Sequence, residues 1–308
     1  MSALSRPEFH SEEAAFAHLE KIVWAGEPVC PHCGSLDRLT KVKANPAKRI
    51  RVGLWRCGGC KKQFRATVGT VFEHIRLPLY KALQAVYLMT SSKKGVSAHQ
   101  IHRTLEITYK SAWFLLHRIR EAMRSGSLAP MGGDNGIVEV DETYIGVKKG
   151  TVKRSAYHHK MAVVTLVDRA TGEARSSVVT RPTRNEIEPI LNANLARETR
   201  LMTDEARLYV GMGKVFVSHE SVRHGFGEYV RGDVHTNTIE GFFSIFKRGM
   251  RGVYQHCGEQ HLHRYLAEFD FRYTNRAALG CNDTDRSNAA IKGIVGKRLT
   301  YARPDINA

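Results

Sequence analysis

Acidic residues are scarce in this 308-residue chain: 30 Asp and Glu stand against 47 Lys and Arg, for a formal net charge of +17 and a pI near 9.8. Such an excess repels itself unless something anionic neutralises it, which makes nucleic acid the leading partner. The other candidate, a membrane surface, meets a second absence. No apolar run approaches the ~20 residues of a spanning helix, and the N-terminus carries no apolar signal-peptide region. The sequence therefore predicts no membrane association and a cytoplasmic location. Cysteine is sparse too: six residues, unevenly placed, do not make a secreted disulfide framework. Internal repeats and low-complexity segments are absent. What remains is ordinary, with 42% hydrophobic residues and a length sufficient for about two domains and a sizeable core.

Four of the six cysteines form two pairs, Cys30-Pro31-His32-Cys33 and Cys57-Gly58-Gly59-Cys60. Two C-x-x-C knuckles joined by a hairpin are the pattern of a zinc ribbon, each knuckle supplying two thiolates to a tetrahedral Zn²⁺. His32 sits inside a knuckle and is expected outside the ligand set, and Cys257 and Cys281 are expected as reduced thiols. Before the ribbon, residues 11–24 have the pattern of a short amphipathic helix capped by Ser11. From Arg38 to Arg65 there are ten Lys or Arg and no acid. This is either a phosphate-binding face, with Lys61 and Lys62 as candidate contacts, or a merely solvated one.

Residues 77–88, 98–105 and 108–123 carry helical periodicity, with Ser97 and Thr108 or Ser111 as caps. Two short helices after a lead helix fit a helix-turn-helix whose last helix offers Tyr109, Lys110 and His117 to the major groove. Three-helix packing without DNA fits the same pattern. Ser125-Gly126-Ser127 and the glycine-rich Met131–Gly136 mark a flexible boundary. The domains expected are thus 1–75 (helix and ribbon), 76–125 (helix-turn-helix-like) and 136–300.

In that last region, residues 137–144 alternate as a strand, Lys148–Arg154 form a basic loop, and 161–167 with 174–180 form a hairpin. A helix over 185–197, a strand before Asp204 and a helix over 236–248 follow. This order resembles the mixed sheet of an RNase H-like fold, and the overall class is α+β. Asp141 lies in the first strand, Asp204 follows the later one, and Glu240 lies on the last helix. Lys247, seven residues on, is nearly two turns away and so on the same face. Carboxylates are the hard ligands that Mg²⁺ or Mn²⁺ prefers, and two such ions about 4 Å apart drive phosphoryl transfer. Lys247 and Arg248 would grip the phosphate alongside.

Three segments together carry a family resemblance: Val138-Glu139-Val140-Asp141-Glu142-Thr143-Tyr144-Ile145-Gly146, Thr203-Asp204-Glu205, and His235 to Gly249 with Asn237, Glu240 and Lys247. They resemble the catalytic blocks of zinc-ribbon DDE transposases of bacterial insertion sequences, and His261–Tyr273 is similar to that family's closing helix. The resemblance spans roughly residues 15–275. It implies an RNase H-like catalytic domain that cuts at element ends and joins them to a target. Asp141 and Asp204 match the first two acids and Glu240 the third, with Asn237 one turn earlier as the alternative. Glu139, Glu142 and Glu205 are expected outside the ligand set, Glu142 because it follows Asp141 onto the opposite strand face. The resemblance further implies structural Zn²⁺, catalytic Mg²⁺ or Mn²⁺, double-stranded terminal-repeat and target DNA as partners, a homo-oligomer when two ends are synapsed, and a place at the nucleoid. Two other readings remain: a non-catalytic zinc-ribbon DNA-binding regulator, and an RNase H-like nuclease that does not join strands.

Overall fold

Ser11 begins the first helix as its position suggests. Its hydroxyl accepts the N–H of Ala14, and α1 (Glu12–Val23) buries Ala15, Phe16 and Leu19. The structure, a computed structural model, describes residues 2–126, 128–152 and 157–300. Ser127 of the expected boundary and Lys153 and Arg154 of the expected basic loop lie outside the described residues. The chain divides into two units. Of the described residues, one takes those up to Ser92, Val96–Met123 and those from Asn282; the other takes Lys93–Gly95 and those of Arg124–Cys281.

In the first unit the ribbon is a three-stranded antiparallel sheet, β1 (Leu39–Lys41), β2 (Trp55–Cys57) and β3 (Gln63–Phe64). A module this small has little core, and Trp24 supplies much of it by packing edge-on against Trp55 and Phe64. Glu20 of α1 accepts the Trp55 indole N–H at 2.9 Å and pairs with Lys41 at 2.7 Å, so helix and ribbon are tied by polar contacts as well. Helices α2 (Leu79–Ser91), α3 (Ala98–Leu105) and α4 (Tyr109–Met123) follow. Ser97 caps α3, Glu106 ends it in the left-handed conformation, and Thr108 caps α4 by accepting from Ser111. Three helices are therefore present where the periodicity places them.

The mixed sheet of the second unit comprises β4 (Ile137–Ile145), β5 (Met161–Asp168), β6 (Ala174–Val179), β7 (Arg200–Thr203) and β8 (Ser218–Ser221), in the spatial order β6-β5-β4-β7-β8. The first three are antiparallel neighbours, whereas β4–β7 and β7–β8 pair in parallel. This is the α+β, mixed-sheet class expected. Every residue of β5 is buried because both sheet faces are covered, and the two-residue period sorts them. Ala162, Val164 and Leu166 meet Ile187 and Leu191 of α5 (Arg184–Asn194). Met161, Val163 and Val167 meet the aromatic face of α6 (Asn237–Gly249) and α7 (Leu262–Thr274). A short hairpin, β9 (Val230–Arg231) and β10 (Val234–His235), leads into α6.

Two expectations are corrected. Met131–Gly136 is not a free linker: Met131 is buried and bridges to Leu195, and the Gly132 N–H donates to Asp168. Gly132 has φ +73, and a Cβ there would lie 2.5 Å from Thr199 Oγ1, so a glycine is required by contact as well as by backbone. Second, the chain beyond Asn282, assigned from sequence to the catalytic domain through 300, folds with the first unit. Its helix α8 (Asp283–Lys292) is capped by Asn282, Arg286 donates to the Thr90 carbonyl, and Lys297 donates to that of Ala122. A polar amphipathic helix carries no label of the core it will join.

Within α7, Glu268 is fully buried. It pairs with Arg272 one turn on and accepts the Tyr254 hydroxyl, while the Arg272 guanidinium lies 4.6 Å from the Phe269 ring centroid. Removing one partner of a buried pair strands the other charge. Glu268→Ala should therefore destabilise the protein by about 3–5 kcal/mol in urea unfolding. A loss below about 1 kcal/mol would show that Arg272 finds water or another acceptor.

Candidate active site

The four ribbon cysteines fit a zinc ion. Cys30 Sγ lies 3.7 Å from Cys60 Sγ, Cys33 Sγ lies 3.7 Å from Cys57 Sγ, and all four sulfurs fall within 4.8 Å of one another. Zn–S bonds of about 2.3 Å set a tetrahedral S···S edge of about 3.8 Å, so the sulfurs stand where the ion's own geometry would put them. Among the described residues no other set of three or more His, Cys, Asp or Glu side chains meets that spacing. His32 lies outside it, as expected. Around the knuckles nine of the ten basic residues from Arg38 to Arg65 are exposed, Lys61 and Lys62 included, and the exception, Arg65, is half-buried over the Phe16 ring.

The carboxylates come together through strand register. β4 and β7 pair in parallel with Glu139 beside Met202, so Asp141, two residues along β4, and Asp204, just past the end of β7 at Thr203, leave the same end of neighbouring strands. Asp141 is partly buried, and loss of solvent, followed by the charges of Glu142, Asp204 and Glu240, pushes its carboxyl up to about 8. The charges of Asp204 and Glu240 thus both reach Asp141. A desolvated carboxylate that feels two further acids is chemistry that suits a divalent cation, and a cation would relieve the repulsion at Asp141. Glu142 lies on the other strand face, where it accepts the Tyr209 hydroxyl at 2.8 Å, and burial raises its carboxyl as well.

Glu139, unassigned from sequence, organises the site. It is fully buried on the Asp141 face of β4, and its carboxylate accepts the backbone N–H of Ile239 in the first turn of α6 at 2.8 Å. Arg169 holds the other oxygen at 2.6 Å and also donates to the carbonyls of Asp233 and His235. A helix's first turn leaves N–H groups unpaired and carries partial positive charge, and Glu139 satisfies both from the neighbouring strand. The helix bearing Asn237, Glu240 and Lys247 is thereby fixed to the strand bearing Asp141.

Glu240 is half-exposed, accepts from the Thr236 hydroxyl at 3.2 Å and lies 3.8 Å from His224 Nε2. His224 is delivered by Glu205, whose carboxylate accepts the N–H groups of His224 and Gly225 at 2.7 and 2.9 Å. That contact joins residues 19 apart in sequence with β8 between them, and no periodicity signals it. Asn237 is exposed on the same helix. Lys247 is half-buried; desolvation lowers its ammonium, while the charge of Asp141 opposes that shift, so the two lie within electrostatic reach. Arg248 instead turns back onto Ser244 of its own helix, away from the partnership expected for it. On α4, Tyr109 and Lys110 are exposed, but His117 is buried against the Trp113 ring at 4.1 Å and cannot reach a groove.

Residues 135–274 match the family model described as the ISXO2-like transposase domain, and residues 10–63 match the transposase zinc-ribbon domain. A protein of Halobacterium salinarum, described as an uncharacterized protein in transposable element ISH50, is 31% identical over 289 residues, covering 86% of this chain and 91% of its own length. A solved assembly, the simian T-cell lymphotropic virus intasome in complex with PP2A regulatory subunit B56 gamma, aligns at 14% identity and TM-score 0.30, over 55% of this chain and 67% of that chain. Nothing rests on a likeness that distant.

Metal analysis of protein purified without chelator should give about one zinc per chain, reduced to background in Cys57→Ser. Equal zinc in wild type and variant would contradict the four-sulfur cage. A second prediction concerns Asp141. The folded carboxyl keeps its proton to about pH 8, whereas the unfolded one loses it near 3.8, so ionisation costs folding free energy progressively as pH rises across that window. In EDTA, wild type should lose thermal stability between about pH 4 and pH 8 relative to Asp141→Asn, which carries no charge there. Parallel Tm profiles would mean that the carboxyl is not strained.

Proposed function

The chain belongs to the zinc-ribbon transposases of insertion sequences, and from that premise we propose that it cuts the ends of its element and joins them to target DNA at one two-metal site. The observation that supports this reading is that the charges of Asp204, just after β7, and Glu240, on α6, both reach the buried carboxyl of Asp141 on β4. These three side chains would hold Mg²⁺ or Mn²⁺. When bound, such ions activate the attacking oxygen and stabilise the leaving one in an in-line displacement.

The protein's own groups supply placement. Glu139 and Arg169 fix the first turn of α6, so Glu240 and Lys247 keep their distance from Asp141. Lys247 neutralises the phosphate being attacked, and His224 restrains Glu240. In the first step a water oxygen attacks the phosphodiester at the element's end, the P–O3′ bond breaks, and the 3′-oxygen leaves as a hydroxyl. In the second step that hydroxyl attacks a target phosphodiester, forming one P–O bond as another breaks and releasing a target 3′-hydroxyl. No covalent bond to the protein is required. The exposed basic ribbon, with Lys61 and Lys62, holds duplex phosphates, and the N-terminal third of α4, with Lys110, contacts the groove. Holding two ends at once takes at least two copies of the chain. No helix among the described residues is long and apolar enough to cross a membrane, and the work proposed belongs in the cytoplasm at the nucleoid.

Purified protein with labelled end DNA and Mg²⁺ or Mn²⁺ tests this. Asp141→Asn and Asp204→Asn should each abolish nicking and joining together while gel-shift affinity persists, because charge and ligation are lost without loss of volume. Glu240→Gln should do the same, and Asn237→Ala should keep substantial activity. Full joining by Glu240→Gln with none by Asn237→Ala would move the third ligand one turn back; an active Asp141→Asn would remove the transposition chemistry from this site.

A further inference from the structure

The segment between β8 and β10 carries an apolar cluster that no step above uses. Phe226, Tyr229 and Val230 are 88%, 58% and 53% exposed. A single apolar residue on a surface is ordinary, but two aromatics and a valine so close together are not.

Nor does the segment hang loose. Residues His224–Phe226 form a 3₁₀ turn that Gly227 closes at φ +76. The Glu205 carboxylate accepts the N–H groups of His224 and Gly225, and the Glu228 carboxylate accepts that of Arg223. Arg231 donates both to Glu228 and to the Ser221 carbonyl. The His224 ring stacks on that of Tyr229, with centroids 5.0 Å apart and planes 28° apart. Phe226 is therefore held out in water on a backbone that is braced before any ligand arrives.

The turn is also tied to the acids. His224 lies 3.8 Å from Glu240, and Glu205, which clasps the turn's backbone, is the residue after Asp204. Two residues of a 3₁₀ turn rise only about 4 Å, so the Phe226 backbone stays within roughly 15 Å of the Glu240 carboxylate, about four nucleotide steps of one strand. Arg207 and Arg223, close in sequence to the two ends of the Glu205 clasp, are exposed. Phosphates use such arginines and a base uses such a ring. One DNA strand with a base free to stack satisfies both.

We propose that Phe226 is a stacking platform for one base of the DNA strand held at the carboxylates, within about four nucleotides of the scissile phosphate, with Arg207 and Arg223 on neighbouring phosphates. The proposal rests on the strand-cleavage reading above. Because the turn is already braced, the ring loses little freedom on stacking, and more of the contact appears as affinity.

The test uses full-length Asp141→Asn, the variant expected to hold DNA without cutting it. End duplexes carry 5-iodouracil at one position at a time across the nucleotides flanking the scissile phosphate, and ultraviolet crosslinks are assigned to residues by mass spectrometry. A crosslink to Phe226 is expected within about four nucleotides of that phosphate. Phe226→Ala in the same protein should lose it and weaken binding about tenfold, whereas Phe226→Trp, which keeps a flat ring, should bind as its parent does. The side chain is exposed, so neither change should move thermal stability. No Phe226 crosslink in that span, or an affinity that Phe226→Ala leaves within about twofold of its parent, overturns the proposal. Loss of an oligomer by Phe226→Ala in the absence of DNA would place the ring against a second copy and overturn it equally. Cleavage by the wild type is scored separately: a wild type that forms the crosslink but neither nicks nor joins counts against the strand-cleavage reading alone.

Discussion

The contact between Glu139 and the first turn of α6 is the constraint on which the rest of the candidate site depends. A fully buried carboxylate is costly unless its oxygens are satisfied, and here a guanidinium and a helix N–H satisfy them. The same bond that stabilises the charge sets the relation between a strand and a helix far apart in sequence. Asp141, two residues along the strand, inherits its position from that lock, as do Glu240 and Lys247 on the helix. The arrangement is electrostatically expensive in itself, as the raised Asp141 carboxyl attests, and the surrounding packing must bear the cost.

Around that lock the second unit applies one rule repeatedly. The two-residue period of β4 sends Glu139 and Asp141 toward α6 and Glu142 toward Tyr209, so neighbouring acids on one strand take separate work. The β9–β10 hairpin is held by Arg200, which pairs with Glu220 of β8 at 3.2 Å and Asp233 at 2.9 Å. The chain therefore enters α6 from a fixed edge. The ribbon obeys a different economy: with little core to bury, it relies on four sulfurs and three aromatic rings.

Much of this was legible in sequence because it depends on local period and spacing. The knuckle pairs, the strand carrying Asp141, the β5–β6 hairpin, Ser11 and Ser97 as caps and the helix carrying Glu240 all follow from short-range rules. What sequence reasoning missed depends on tertiary partners. Glu139 looked like one more acid beside the important one, and only the N–H of Ile239, 100 residues away, reveals its work. His224 reaches Glu240 through a backbone clasp by Glu205. His117 has the periodicity of a surface position but is buried. The glycines of Met131–Gly136 suggested freedom where Thr199 in fact demands a residue without a side chain, and α8 joined the unit from which the chain had departed 160 residues earlier.

The central claim is that Asp141 on β4, Asp204 just after β7 and Glu240 on α6 form one divalent-cation site. Anomalous diffraction from crystals of the full-length protein grown with Mn²⁺ tests it most directly. The account predicts manganese peaks bounded by the carboxylates of Asp141, Asp204 and Glu240, separate from the zinc in the ribbon. Manganese found only elsewhere on the surface, or no peak at this site at saturating Mn²⁺, would contradict it.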